Sequence, residues 1–555
     1  MGGPARITAQ LYLPLCLTTA CLSRGVAQNG RAVFIAGILW PKRGLKVSTE
    51  MAIQNSVSFN DKQPTIHQHP GQPKGASFEK VDQLLIIVPE RVPAAVWRKI
   101  PQGMKLKTLL RRRGAASVPC VVSRLGNKRQ TGVMLANFDS GADAFEQLTR
   151  ARKLVAAACA EKPRSLGIWA VGFDEQAQQQ IVSRVTSAAL AAAFVMPAYK
   201  SSPSKSPIGS MRVFGLSEQL DLSRVNAEAS ANNLVRWLTA LPANRLDAES
   251  YAELARSLAK SSNWQFKKYT VKDLQKLGAG AFLAVAQGND NDSASIVHLK
   301  YRPADQQAPA DLSLVGKGII FDTGGTNLKP FQSMLDMHID MSGSAVALAT
   351  LKAISDLRLP LAVDCWLAIT ENRTGPLAYK SQDILTAANG TTIQTIHTDA
   401  EGRLALADTL VLASREQPGM IIDYATLTGA CVTGITSRYS GVFSNRSSLH
   451  PILKRAGRKS GERVWPFPIG AEFVEGLKSD TADLKQCTPG GGGDHIYAAS
   501  FLGEFVDSKI PWVHVDLSAC TQKGGLAHIP TEITGFGVHF TMNLLLEQQV
   551  LSQER

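Results

Sequence analysis

LVGKGIIFDTGGTNLKP, residues 314–330, is an apolar run interrupted by one lysine and closed by an aspartate and two glycines. A short apolar run that ends in a Gly-Gly turn reads as a strand buried on both faces. Such strands sit in sheets covered by helices on either side, which makes the chain α/β. Lys317 is the anomaly in this run. A buried ammonium is costly unless it is paired or loses its proton, and a neutral lysine amine is a competent metal ligand. The plainer alternative is a surface lysine with a snorkelling stem. Asp322 stands at the strand end, and Lys329 follows the turn.

Two stretches downstream carry more acids. SMLDMHIDMSGSA, residues 333–345, puts Asp340 at the entry to a helix of small residues, with Asp336 able to share its face or to cap locally. HTDAEGRLALADTL, residues 397–410, sets Asp399 and Glu401 two positions apart. Carboxylates at i and i+2 of an extended segment point to one side. Leu404, Leu406, Ala407, Leu410 and Val411 then follow at helical spacing. The N-terminus of that helix favours anions, and Arg403 lies in its first turn. Like charges so crowded call for a cation; the other reading is a solvated acidic turn. Asp408, inside the helix, is expected to face solvent or to pair locally.

Strands and helices alternate along most of the chain. DQLLIIVPE and SLGIWAVGF read as buried strands and EQAQQQIVSRVTSAALAAAFV as a helix, giving a small N-terminal α/β domain over 76–205. Residues 206–242 form a connector and a bridging helix that ends at Pro242; the Ser/Pro-rich KSSPSKSPIGS opens it. The larger C-terminal α/β domain, 243–555, is expected to hold a central mixed sheet flanked by helices. Its strand candidates are ASIVHLKYR, LSLVGKGIIF, LAVDCWLAIT, GMIIDYATL and WVHVDLS, with helices near 248–260, 343–356, 403–416 and 497–507. The Gly490–Gly493 run reads as a flexible loop, because no P-loop lysine follows it, and Asp494 and His495 beside it as loop residues.

Residues 1–75 read as a leader. The first 50 residues carry six basic side chains against Glu50 alone, and the apolar stretch Leu11–Leu22 is too short to span a membrane. Readings as a signal peptide cut near Ala27, as a basic transit peptide, or as an untranslated segment before a start at Met51 all fit; the last suits the rest of the chain best. Net charge over 555 residues is +14, and the eight cysteines are scattered with no C-x-x-C pair. That pattern argues against a disulfide framework and a zinc knuckle, and for a reducing compartment. The basic run from Lys105 to Arg113 could contact phosphates, but it lacks interleaved aromatics and reads as a solvated helix end.

Taken together, VGKGIIFDTGGTNLKP, MLDMHIDMSGSA and HTDAEGRLALADTL resemble the leucyl aminopeptidase family, the two-metal M17 peptidases. The likeness extends over the second domain, through ALPANRL, ATLTGA (425–430) and WVHVDLS (512–518), while the first domain is similar only in its α/β character. The resemblance implies a cytoplasmic metallo-aminopeptidase, assembled as a homohexamer and acting on peptides with a free N-terminus. It implies five metal ligands, Lys317, Asp322, Asp340, Asp399 and Glu401, holding two divalent ions, Zn²⁺ or Mn²⁺, with Mg²⁺ and Co²⁺ also compatible. Asp322 and Glu401 would bridge the ions, and the paired ions would supply hydroxide from water. Lys329 would stabilise the oxyanion, Arg403 would hold a bicarbonate ion as general base, and Met337, Thr426 and Gly429 would line an apolar pocket for the first side chain.

Two departures from the family pattern are His397, where asparagine is usual, and GGTNLKP in place of GGISIKP-like blocks. His397 reads as a hydrogen-bonding strand-end residue, and His338, His495 and His514 are likewise not expected to be ligands. The competing functions are a nucleic-acid-binding or structural member of the family, and a different two-metal hydrolase such as a phosphoesterase, since Lys329 and Arg403 could bind phosphate.

Overall fold

Runs rich in valine, isoleucine and leucine assemble into two large sheets, seen in a computed structural model that describes residues 57–113, 118–202, 206–303, 309–490 and 492–553. The expectations for the leader before residue 57, for part of the Ser/Pro connector and for Gly491 lie outside the described residues.

The first sheet contains β1 (Thr65–His69), β2 (Gln83–Pro89), β3 (Val121–Arg124), β4 (Gly132–Phe138), β5 (Ser165–Ala170) and β6 (Ser210–Phe214). Their order is β1-β6-β5-β2-β4-β3. Every neighbouring pair is parallel except β3 with β4. Helices Ala144–Ala160 and Glu175–Ala193, each N-capped by an aspartate, pack Leu154, Val155, Ile181 and Val185 onto the buried faces of β2 and β5. Two expectations change here. Thr65–His69, read as part of a loose leader, is the edge strand, and Ser210–Phe214, read as connector, is its partner. This strand pairs on one side only and its side chains are exposed or half-buried, so its sequence stays polar, and nothing local announces a partner so far along the chain.

The remaining strands, in chain order, are β7 (Gln265–Thr270), β8 (Ser295–Tyr301), β9 (Leu312–Asp322), β10 (Val363–Asn372), β11 (Ile384–Thr386), β12 (Thr392–Gln394), β13 (Ile421–Ala425), β14 (Ser440–Ser444), β15 (Val464–Pro466), β16 (Leu484–Lys485) and β17 (Trp512–Asp516). Eight of them form a mixed sheet in the order β15-β14-β17-β13-β9-β10-β8-β7, and β11-β12-β16 make a small one. The four central strands, β17, β13, β9 and β10, run parallel, so their carboxyl ends share one edge. Helix Ser342–Asp356 covers one face of this sheet and helix Glu401–Arg415 the other, each with its own apolar core.

The small residues of SGSA have a packing reason. A Cβ on Gly343 would sit 2.1 Å from the Tyr424 carbonyl oxygen, and one on Gly316 would sit 2.4 Å from the Ser344 Cα. Only glycines let this helix close onto β9 and β13. The bridging helix is Ser223–Thr239; its Ala229 joins the core of the first sheet, while Leu234, Val235 and Leu238 join that of the second. Among the described residues, no helix is long and apolar enough to cross a membrane.

Candidate metal centre and its cleft

The parallel strands deliver polar residues to one edge of the sheet, where open α/β sheets place their ligands. Lys317 sits in mid-β9 and is only 3% exposed. Its Nζ lies 2.8 Å from Asp340 Oδ2 and 2.9 Å from Glu401 Oε1, and donates to the Thr426 carbonyl at 3.0 Å. Asp340 comes from the short 3-10 turn Met337–Met341, and Glu401 is the first residue of its helix. The ammonium is therefore satisfied by three chain segments, and the surface reading of Lys317 is ruled out. Gly402 belongs to this packing, since a Cβ there would meet Lys317 Cε at 2.5 Å and Nζ at 2.6 Å.

Asp322 ends β9, where its Oδ1 accepts from the Gly324 N–H and from Asn372 Nδ2, both at 2.8 Å. Lys329 Nζ lies 2.9 Å from Asp322 Oδ2 and also pairs with Asp399 Oδ1. Lys317, Asp322, Asp340 and Glu401 thus converge, and Asp399 joins through Lys329 at a more exposed position. Asp322, Asp340 and Glu401 are the one group of acids, histidines or cysteines among the described residues whose ligand atoms lie within 4.8 Å of one another.

Electrostatics show what this set lacks. Burial, reinforced by the charges of Glu401 and Asp340, pushes Asp322 well above the usual carboxylate range. Burial likewise lifts Asp340 to about 7, with Glu401 adding to the rise while Lys317 opposes it. Burial would drive Lys317 toward neutrality, but Asp340, Glu401 and Asp322 outweigh it and hold the proton on. Lys329 is raised for the same reason, burial again being outweighed, here chiefly by Asp322. Against its burial, Glu401 is held low by Lys317 and Lys329. Four carboxylates meet two ammonium groups here, and Asp322 and Asp340 hold their protons more tightly than free carboxylates do. Divalent cations would replace those protons, and an oxygen-rich donor set with one amine suits them.

A cleft of about 410 Å³ opens over the cluster. Met337, Thr426 and Gly429 line it; Met337, Ile339, Leu427 and Leu517 form an apolar part of the wall, and Ser333, Thr428, Ser437 and Thr521 a polar part. Thr426 also donates to Asp340 Oδ1 at 2.7 Å. Lys329 lines the cleft as well. Arg403 does not; it is buried behind the cluster, with Nη2 at 3.0 and 2.8 Å from the two oxygens of Asp494 and Nη1 donating to the Gln486 carbonyl. Asp494, expected in a loop, opens helix Asp494–Gly503 and neutralises this guanidinium. Asp408 also departs from expectation. It is fully buried and accepts from the backbone N–H groups of Phe282 at 2.8 Å and Ala388 at 2.7 Å. The whole of Glu401–Ser414 is buried, so this helix has no solvent side for an acid to face.

Several site residues carried no recognisable signal. Asn372 is the register partner of Asp322 across β9 and β10, and its Nδ2 reaches Asp322, the Thr398 carbonyl and, at 3.4 Å, Glu401 Oε2. Asn327, in the unusual GGTNLKP block, exchanges two 2.8 Å hydrogen bonds with Thr398, clasping the turn after β9 to the segment that carries Asp399. His397 Nδ1 accepts from the Asp399 N–H at 3.2 Å, in keeping with a hydrogen-bonding strand-end role. Asp516 ends β17 and accepts from Thr428 Oγ1 at 2.7 Å, holding the loop that presents Thr426 and Gly429.

This arrangement agrees with what the chain is similar to. Residues 233–542 match the family model described as the cytosol aminopeptidase family, catalytic domain. The chain belongs to that family. A "Probable cytosol aminopeptidase" of Parasynechococcus marenigrum is 35% identical over 439 residues, covering 78% of this chain and 89% of that protein. Another, of Chlorobaculum tepidum, is 41% identical over 319 residues, covering 57% of this chain and 62% of that protein. Among solved structures, a mutant tomato leucine aminopeptidase superposes with a TM-score of 0.77 at 25% identity, covering 90% of this chain and 99% of that one. The bottromycin maturation enzyme BotP, in complex with Mn, matches with a TM-score of 0.71 at 27% identity, covering 85% of this chain and all of that one.

Proposed function

We propose that this member of the cytosol aminopeptidase family is a metal-dependent hydrolase that releases N-terminal residues, leucine-like ones first, from peptides. The observation that carries the reading is the convergence of Lys317, Asp322, Asp340 and Glu401 at the base of a cleft whose wall is apolar around Met337, Ile339 and Leu427. Lys317, Asp322, Asp340, Asp399 and Glu401 are the residues that would hold two divalent ions. Zn²⁺ and Mn²⁺ both suit the donors, and the manganese complex of BotP supports the second. When bound, such a pair supplies Lewis acidity and an activated water.

The chain's own residues account for the rest. Asp340, held by Thr426, presents a carboxylate at the cleft floor, where it meets the α-ammonium of a free N-terminus. That requirement explains an exopeptidase. Met337, Ile339 and Leu427 bury an apolar first side chain against the open space beside Gly429. Lys329 pairs with Asp322 and Asp399 at the cleft wall; were both acids to serve as metal ligands, its ammonium would be free to stabilise the carbonyl oxygen of the tetrahedral intermediate. Arg403 is the candidate holder of a bicarbonate ion serving as base. Its Nη atoms are engaged, while its buried Nε has no hydrogen-bond partner among the described residues and could donate to such an anion. A homohexameric assembly and a cytoplasmic location belong to the same proposal, and the name of the family accords with the second.

The test is hydrolysis of leucyl-p-nitroanilide, its N-acetylated form and p-nitrophenyl phosphate, each with and without a chelator. Cleavage of the free leucyl substrate alone, abolished by chelator and restored by Mn²⁺ or Zn²⁺, is expected. Indifference to chelator, or turnover of the phosphate ester in place of the amide, would sink the proposal. Omitting bicarbonate from CO₂-free buffer should lower kcat, and Arg403→Ala should remove that dependence.

A further inference from the structure

A second cleft, of about 650 Å³, lies away from the metal centre, between the loop before helix Ala144–Ala160 and helix His450–Ser460. Five cations line it: Arg184, Lys454, Arg455, Arg458 and Lys459. None of the five forms an ion pair among the described residues; Arg455 Nε donates to Gln548 Oε1 at 2.5 Å, and Lys454 Nζ lies 4.2 Å from the centre of the Trp465 ring. The single carboxylate in the lining, Asp143, caps its own helix by accepting from the Glu146 N–H at 2.8 Å, and its charge offsets part of that of Arg184, leaving four cations without a counter-charge in the lining. So much unpaired positive charge in a concavity opposes folding through self-repulsion, and is retained at a cost unless an anion neutralises it.

The cleft is built from behind. Gln147 is fully buried; its Nε2 donates to the carbonyls of Asp139, Ser140 and Ala142, and its Oε1 accepts from Arg184 Nη1. One side chain thus fixes both the 139–142 loop and the guanidinium that faces it. Burial pulls Arg184 down to about 10, which leaves it charged at neutral pH. Helix Ala144–Ala160 also points its N-terminus at the cleft, adding a fixed positive dipole end.

We propose that this cleft binds a small, multiply charged phosphate compound. Several phosphate groups are needed to meet five cations, and arginine forks match phosphate oxygens in pairs. A cavity of this size takes a small-molecule ligand. No aromatic side chain lines it to stack a base, so the phosphate-rich, base-free class, inorganic polyphosphate or a phosphorylated polyol, fits best. This site is separate from the peptidase cleft, and the proposal stands whether or not that reading holds.

Inorganic tripolyphosphate is the probe, measured by equilibrium dialysis of the radiolabelled anion against the intact metal-loaded protein. Metal chelation by the probe is common to wild type and variants, so the comparison between them isolates this cleft. Expected are one bound anion per chain, affinity that falls with added salt, and weakening of at least about tenfold in both Arg184→Met and the exposed pair Arg458→Glu/Lys459→Glu. Hydrolysis of leucyl-p-nitroanilide without the anion should be unchanged in the surface pair. Binding that survives the surface pair would place the anion elsewhere and overturn the proposal. So would retention of a short DNA duplex in place of tripolyphosphate, or a change of oligomeric state in the surface pair with no anion bound by wild type.

Discussion

Replacing Gly402 by alanine adds one methyl group at the point where the Glu401–Arg415 helix meets Lys317. The new Cβ would stand 2.5 Å from Lys317 Cε, 2.6 Å from Nζ and 2.8 Å from Cδ. Gly402 does not need a positive φ, so the backbone itself accepts alanine. Ordinary contact would require the lysine or the helix to retreat by roughly an ångström. Lys317 cannot swing away cheaply, because Asp340, Glu401 and the Thr426 carbonyl hold its Nζ and the side chain is buried. Overpacking of this kind costs about 1–3 kcal/mol, partly offset by up to about 1 kcal/mol from better helix propensity. Stability should therefore change little. A displacement of that size in a catalytic constellation, however, costs about 10²-fold. The expected result is a roughly hundredfold fall in kcat/KM for leucyl-p-nitroanilide, a Tm within a few degrees of wild type, and reduced metal content after dialysis. Gly434→Ala, where a Cβ meets nothing within 4 Å, is the control. Wild-type kcat/KM and full metal retention in Gly402→Ala would refute the placement of Lys317 as a ligand.

Asn372→Ala removes the amide that anchors Asp322 and Glu401, and should lower metal affinity by about 10–100-fold, read by titration with a competing chelator. Asp408→Ala leaves the buried N–H groups of Phe282 and Ala388 without acceptors, so urea denaturation should show a loss of roughly 2–5 kcal/mol. Metal uptake should also depend on pH with a definite sign. Burial holds the Asp340 proton up to about pH 7, so below that pH binding must expel it and apparent affinity should rise as pH rises, by up to about tenfold per unit. Lys317 is raised further, so ligation by its amine expels a second proton and the rise should continue above pH 7, as competition with a pH-insensitive chelator would reveal. A pH-independent affinity between pH 6 and 8 would count against both.

Much of the catalytic half could be read locally. The apolar runs around Lys317, Trp366, Ile422 and Val513 became β9, β10, β13 and β17, and the helical spacing after Glu401 became the Glu401–Arg415 helix. Buried elements betray themselves because hydrophobic periodicity is a property of neighbouring residues. A lysine in mid-strand and two acids ahead of a helix are likewise visible as local contradictions that need a partner. The edge strand Thr65–His69 had no such mark, since it satisfies only one face of the sheet.

Tertiary structure alone decided which charges meet. Asn372 is aligned with Asp322 by strand register, Asp494 reaches Arg403 from a distant helix, and Asp408 meets the first turn of helix Gly280–Ala286, which carries Phe282, and the turn that carries Ala388. Each is an ordinary polar residue in its own segment. Its importance comes from desolvation and from a partner brought close by the packing of separate elements, and Coulomb and hydrogen-bond energies depend on that distance and that dryness rather than on position along the chain.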